Sequence, residues 1–130
     1  MKTITTIFLG LSVILFGFTS GKPVHEELGG IKPIKTLTQE FFGKNVGYYI
    51  MLKNTSNLKC DAVKWKAYFY DNFGDNVGIR NGQWSSGNII QPVGHNGVIE
   101  DIENVWIDGA TKIVIVVNRV HFTNGATYFK

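Results

Sequence analysis

The sequence predicts an all-β protein, an immunoglobulin-like antiparallel β-sandwich of about seven strands behind an N-terminal signal peptide. Three observations predict it. Residues Ala62 to Asp75, AVKWKAYFYDNFGD, alternate strictly, with Val63, Trp65, Ala67 and Phe69 on one side and Lys64, Lys66, Tyr68 and Tyr70 on the other, which describes a strand with one face in a core and one in water. Turn signals built from Gly, Asn and Asp recur about every eight to twelve residues. No convincing helical period follows the N-terminal segment. An open barrel is the competing architecture.

The N-terminal residues read as an address. Met1-Lys2 is a short positive start, Ile4 to Phe18 is apolar apart from small residues, and Thr19-Ser20-Gly21 is a small-residue exit. This is the layout of a secretory signal peptide over residues 1–21. An uncleaved anchor is the alternative, but the run is short against the roughly 20 residues a bilayer span needs. No cysteine stands at the exit to carry a lipid, and no later segment is long and apolar enough to span a membrane. The expected location is periplasmic or extracellular.

The division continues with a tail and irregular first strand over 22–45 and the sandwich over 46–130. Lys22 to Gly30 is polar, ends in Gly-Gly and predicts a loose tail. Ile31 to Gly43 carries Ile31, Ile34, Leu37, Phe41 and Phe42, a spacing that suits a helical turn or a first edge strand. Pro33 demotes a central strand, so an irregular first strand is expected. Gly47 to Lys53 is a strand, closed by a turn at Asn54-Thr55-Ser56-Asn57, and the 62–70 strand runs into a turn at Asp71 to Asp75. Next come a short strand over Asn76 to Arg80, a turn at Asn81-Gly82 and a strand over Gln83 to Ile90 with Gly87 as a bulge. Gln91 to Gly97 reads as a loop. Val98 to Trp106 reads as a strand with a polar exposed side, and Asp108-Gly109 as a turn. Thr111 to Phe122 is the most apolar strand. Asn124-Gly125 predicts a type I′ hairpin turn, after which Ala126 to Lys130 returns as a terminal edge.

Ala67-Tyr68-Phe69-Tyr70-Asp71 followed by Gly74, with Leu52-Lys53-Asn54-Thr55-Ser56 upstream and Pro92 to Gly94 downstream, resembles the FxLYD-type domains of bacterial exported proteins. Ala67 stands where those domains have Phe, Phe69 where they have Leu, and Val93 interrupts their Pro-Gly pair. The chain is also similar to uncharacterised secreted domains whose last hairpin carries an Asn-Gly or Asp-Gly turn. The resemblance spans roughly residues 46 to 129. It implies an exported immunoglobulin-like sandwich and transfers no catalytic residue.

Composition narrows the function classes. The net charge of the 130 residues is +3, and removing Lys2 with the leader leaves +2. The cations are spread along the chain and Glu100, Asp101 and Glu103 form an acidic counterweight, so a nucleic-acid partner is not expected. About 110 mature residues can bury roughly two-thirds of their unfolded surface. They must do so without an internal disulfide, because Cys60 is the single cysteine. It reads as a buried small side chain rather than a reactive thiol, having no stabilising partner nearby.

Candidate chemistry is sparse. Asp71, Asn72, Asp75 and Asn76 cluster oxygen ligands around Gly74, which makes Asp71 and Asp75 weak calcium candidates. The same residues make turns unaided, and a distal bidentate Glu is absent. His25-Glu26-Glu27 lacks the second histidine of a zinc-protease helix. His25, His95 and His121 have no zinc spacing, although His95 could meet Asp101 and Glu103 in space. Ser85-Ser86 has no nucleophile-elbow setting. No cofactor and no enzyme activity are expected.

Aromatic residues are the better lead. Trp65 reads as core. Lys64, Lys66, Tyr68 and Tyr70, with Trp84 and one of Tyr48 or Tyr49 facing outward, are the candidates for a surface that meets a protein or carbohydrate partner. Three functions follow in order: a non-catalytic exported binding module, an assembly subunit pairing through an edge strand, and a loop-borne metal-dependent hydrolase. Asn54-Thr55-Ser56 is a glycosylation sequon, relevant only to a eukaryotic secretory route.

Overall fold

The computed structural model describes residues 24–41 and 45–130; the leader expected over 1–21 lies outside them. Seven strands follow in order: β1 Ile31–Phe41, β2 Asn45–Asn54, β3 Cys60–Tyr70, β4 Asn76–Ser85, β5 Val98–Trp106, β6 Lys112–Phe122 and β7 Thr127–Phe129. They form two antiparallel sheets, ordered β1-β2-β5 and β4-β3-β6-β7. The edges do not close, so the architecture is a sandwich and not a barrel. The crossovers β2 to β3, β4 to β5 and β5 to β6 each change sheet, as expected of an immunoglobulin-like sandwich.

The alternation of β3 sets the core. Val63, Trp65, Ala67 and Phe69 are essentially inaccessible, and they meet Tyr48, Ile50 and Leu52 of β2. Tyr48 and Phe69 join the sheets edge to face, with ring centroids 5.5 Å apart. Burying such a side chain contributes roughly 2–3 kcal/mol. Cys60 is buried as its surroundings suggested. Burial pushes its thiol up to about 11, so it is protonated and unreactive at neutral pH.

The N-terminal expectation is corrected. Leu28 is buried in the core, and Glu26 bridges Val116 in parallel. Glu26 N–H donates to the Ile115 carbonyl at 3.0 Å, Val117 N–H donates to the Glu26 carbonyl at 3.0 Å, and the Ile115 N–H donates to His25 Nδ1 at 2.9 Å. The tail is pinned because β7 covers only Arg119 to His121 of β6, leaving backbone groups of β6 that need partners. Gly29 and Gly30, at φ 58° and 83°, then turn the chain into the other sheet. β1 forms with an irregularity between Pro33 and Lys35, where the proline lacks a ladder donor.

Asn81-Gly82 is not a turn. Both residues lie inside a continuous β4, where Gly82 faces Trp65. A Cβ at position 82 would sit 2.2 Å from the indole ring, so the glycine makes room for the tryptophan rather than reversing the chain. The strand expected over Gln83 to Ile90 ends at Ser85. Gly87 is no bulge; its N–H donates to the Ile90 carbonyl within a loop. The last hairpin is not type I′. Only Gly125 takes positive φ, 94°, and its N–H donates to the Phe122 carbonyl, giving a three-residue loop with a glycine bulge.

Candidate binding face

The outer face of the β4-β3-β6-β7 sheet is set by register. Lys64 lies opposite Gln83 of β4 and Arg119 of β6; Lys66 lies opposite Asn81 and Val116. Tyr68 pairs with Ile79 and Val114, and Tyr70 with Asn76 and Lys112. β6 holds an extra residue, Asn118, at the irregularity between the Lys64 and Trp65 rows, which keeps Arg119 on the outer side. Neighbouring strands are about 4.8 Å apart and same-face rows about 7 Å apart. Lys64, Lys66 and Arg119 therefore occupy two adjacent rows in the middle of the sheet, with Lys112 at one end.

Lys64 and Arg119 have no acid in their row; in the Lys66 row the Glu26 segment places a carboxylate beyond Val116, held by Lys130. Lys64 and Arg119 are directly opposed like charges, which is unfavourable across a sheet. The Arg119 guanidinium lies 4.7 Å above the centroid of Phe129, a ring half exposed on β7. Asp61, the carboxylate of this end of β3, is held by His121, Nδ1 to Oδ1 2.6 Å. Tyr68 and Tyr70 are partly exposed, Ile79 is 47% exposed, and Val114 is buried although its row faces outward. Burial raises the Tyr70 hydroxyl above its ordinary value, Tyr68 adds to this, and a hydrogen bond with Asn76 opposes it.

The candidates named from sequence thus separate. Lys64, Lys66, Tyr68 and Tyr70 share this face. Trp84 does not: it pairs with Val63 and packs against the core from the inner side of β4. Its place follows from the alternation of β4, where Gly78, Arg80, Gly82 and Trp84 share the inner face, a pattern that the turn composition of Asn81-Gly82 hides in the sequence. Of the two tyrosines on β2, Tyr48 is buried, with burial pushing its hydroxyl up to about 12. Tyr49 points outward on the opposite sheet. Arg119, Lys112 and Ile79 were missed, because only strand pairing brings residues so far apart in sequence beside Lys64.

Other candidates are accounted for. Asp71 Oδ1 accepts from the N–H groups of Phe73 and Asp75 at 2.9 and 3.0 Å, with Gly74 at φ 85°: Asp71 shapes a turn. Among the described residues no group of three or more His, Cys, Asp or Glu could hold a metal ion. His95 meets the Ser56 carbonyl at 2.9 Å. Asp101 and Glu103 lie on the inner side of β5 with buried Ile99, in register with Ile50 and Tyr48, and Glu103 remains exposed. Burial, and then Glu103, raise the Asp101 carboxyl above its ordinary value. The outer side of β5 carries Glu100 and Ile102, both exposed, with Ile102 76% accessible.

No family model matches the chain, and no curated protein matches it. Solved structures resemble it. A DUF1425 family member from Shewanella sp. pv-4 is 13% identical, TM-score 0.46, over 74% of this chain and 94% of that one. The structural-genomics target SoR45 is 14% identical, TM-score 0.45, over 78% and 83%. A Bordetella pertussis protein solved under the provisional name ApaA is 10% identical, TM-score 0.43, over 82% and 89%. Likenesses of this degree assign no residue a role. No described helix is long and apolar enough to cross a membrane.

Proposed function

We propose that this is a non-catalytic, exported binding module that takes an anionic ligand on the outer face of its four-stranded sheet. The observation that carries the reading is the Lys64–Arg119 pair, two like charges in direct register with no acid in their row. Lys66 is in the next row, where the one acid, Glu26, lies beyond Val116 and is held by Lys130. Within the molecule this arrangement is unfavourable. A negatively charged partner turns it into a gain. The face is the outer surface of a sheet, which suits an extended ligand better than a small molecule. Tyr68 and Ile79 add an apolar row against which the body of that ligand can rest.

Export rests on the Met1 to Gly21 layout. A protonated Cys60 supports a binding role over catalysis, as does the use of Asp71 to hold a turn. Assembly by strand addition at β7 is supported less, because β7 is only three residues long.

The test is titration of the full mature chain with polygalacturonate and, in parallel, with poly-glutamate. The polysaccharide and polypeptide arms distinguish the two kinds of anionic partner. Binding to at least one at low salt is expected, weakening as salt screens it. Replacing Lys64, Lys66 and Arg119 together by Gln should remove that binding while the fold persists. Unchanged binding by the triple variant would remove the basis of the proposal.

A further inference from the structure

The outer face of the three-stranded sheet has a different pattern. Leu37, Tyr49 and Ile102 form one row across β1, β2 and β5. Leu37 is 54% exposed and Ile102 76%, so the row is a ridge of apolar surface crossing the whole sheet. The next row is Lys35, Met51 and Glu100. Its charges are held in place through the ridge: the Tyr49 hydroxyl donates to Glu100 Oε2 at 2.7 Å, and Lys35 Nζ lies 6.0 Å from the Tyr49 ring centroid. Lys35 and Glu100 are two strands apart, about 10 Å.

We infer that this face joins two copies of the chain about a twofold axis running along β2, with Lys35 of each copy facing Glu100 of the other. The geometry follows from symmetry. Rotation about the central strand exchanges β1 and β5, so a residue on β1 meets the β5 member of its own row. Leu37 then lies on Ile102, Tyr49 on Tyr49, Met51 on Met51, and Lys35 on Glu100. An axis across the strands sets each strand against its own copy and leaves the two charges apart. The axis along β2 keeps the strand directions of the two sheets aligned, within the roughly 30° of ordinary face-to-face packing.

The face is about 15 Å by 20 Å, judged from strand and row spacing, or about 600 Å² over the two copies, smaller than a standard specific interface and in the range of weak contacts. The same axis brings Lys53, opposite Lys32 in β1, towards its own copy at the rim. The dimer is therefore weak, and Lys53→Gln tightens it.

Sedimentation of the full mature chain from micromolar to millimolar concentration tests the inference. A reversible dimer is expected. Lys35→Glu and Glu100→Lys should each weaken it by about tenfold or more, since each sets like charges together. Mixing the two variants should restore association, because the carboxylate introduced at position 35 then meets the ammonium introduced at position 100. A wild-type chain that stays monomeric throughout overturns the inference, as do single variants that dimerise like the wild type or a mixture that stays monomeric. Since Lys64, Lys66 and Arg119 lie on the other sheet, this outcome is independent of polyanion binding.

Discussion

The two outer faces of this sandwich are made from the same pleat and differ in what occupies the middle. On the four-stranded sheet the central rows hold Lys64, Lys66 and Arg119, and the apolar residues lie to one side. On the three-stranded sheet the central row is Leu37, Tyr49 and Ile102, with one cation and one anion bracketing Met51 and the remaining lysines at the end. The first face has a like-charge pair, Lys64 and Arg119, that no acid in its own row resolves. The second has its opposite charges placed symmetrically about β2. One face asks for something anionic, the other matches itself.

The largest expected effect tests what both faces share. Gly82→Val puts a branched side chain where even a Cβ would lie 2.2 Å from the Trp65 ring. Overpacking of this kind should cost about 3 kcal/mol or more, seen as a large fall in thermal midpoint, and should disable both faces together. A tolerated Gly82→Val would mean that β4 does not run past Trp65 as described.

Next comes a change that separates the faces. Lys64→Glu should weaken polyanion binding by about tenfold or more and leave self-association unchanged. It should also raise stability by about 0.2–1 kcal/mol, because it converts a like-charge cross-strand pair with Arg119 into an attractive one. Chemical denaturation beside the binding titration checks both signs. Ile102→Lys is the mirror experiment: association should be lost, with polyanion affinity unchanged within about twofold.

Much of the fold was legible because β3, β6 and the turns at Asp71 and Asp108 state their roles locally, in alternation and in turn chemistry. What was not legible depends on contacts between distant segments. Asn81-Gly82 has turn composition, but Trp65 across the ladder decides its conformation. The polar tail from Lys22 looked free, yet a short β7 leaves part of the β6 edge open and Glu26 fills it. The candidate face was half legible: Lys64, Lys66, Tyr68 and Tyr70 follow from one strand, whereas Arg119 and Ile79 need the pairing, and Trp84 needed the correct phase of β4.

Smaller effects probe the supports of each face. His25 Nδ1 accepts the Ile115 N–H, so its ring must be unprotonated at that nitrogen. Burial, and then Lys112, hold its pKa below the ordinary 6.5. The stability it contributes is complete above the unfolded value and is lost as pH falls through the folded one. Exchange of the Val117 amide, which the Glu26 segment covers, should accelerate in that acid range before the core amides do. His25→Gln should remove much of this pH dependence. The smallest effect is at Asp101, whose raised carboxyl means that its charge opposes folding at neutral pH. Stability from this group rises as pH falls through the raised value, and Asp101→Asn should stabilise by less than about 1 kcal/mol at neutral pH, with the gain vanishing in acid.

The most direct measurement is an NMR titration of the labelled mature chain with polygalacturonate and with poly-glutamate at low salt, following every assigned amide. The account predicts that one or both shift signals on β3 from Lys64 to Tyr70 and on β6 from Lys112 to Arg119, reversing on addition of salt, while the Leu37, Tyr49 and Ile102 row stays still. No shifts with either polyanion, or shifts centred on β1, β2 and β5, would contradict it.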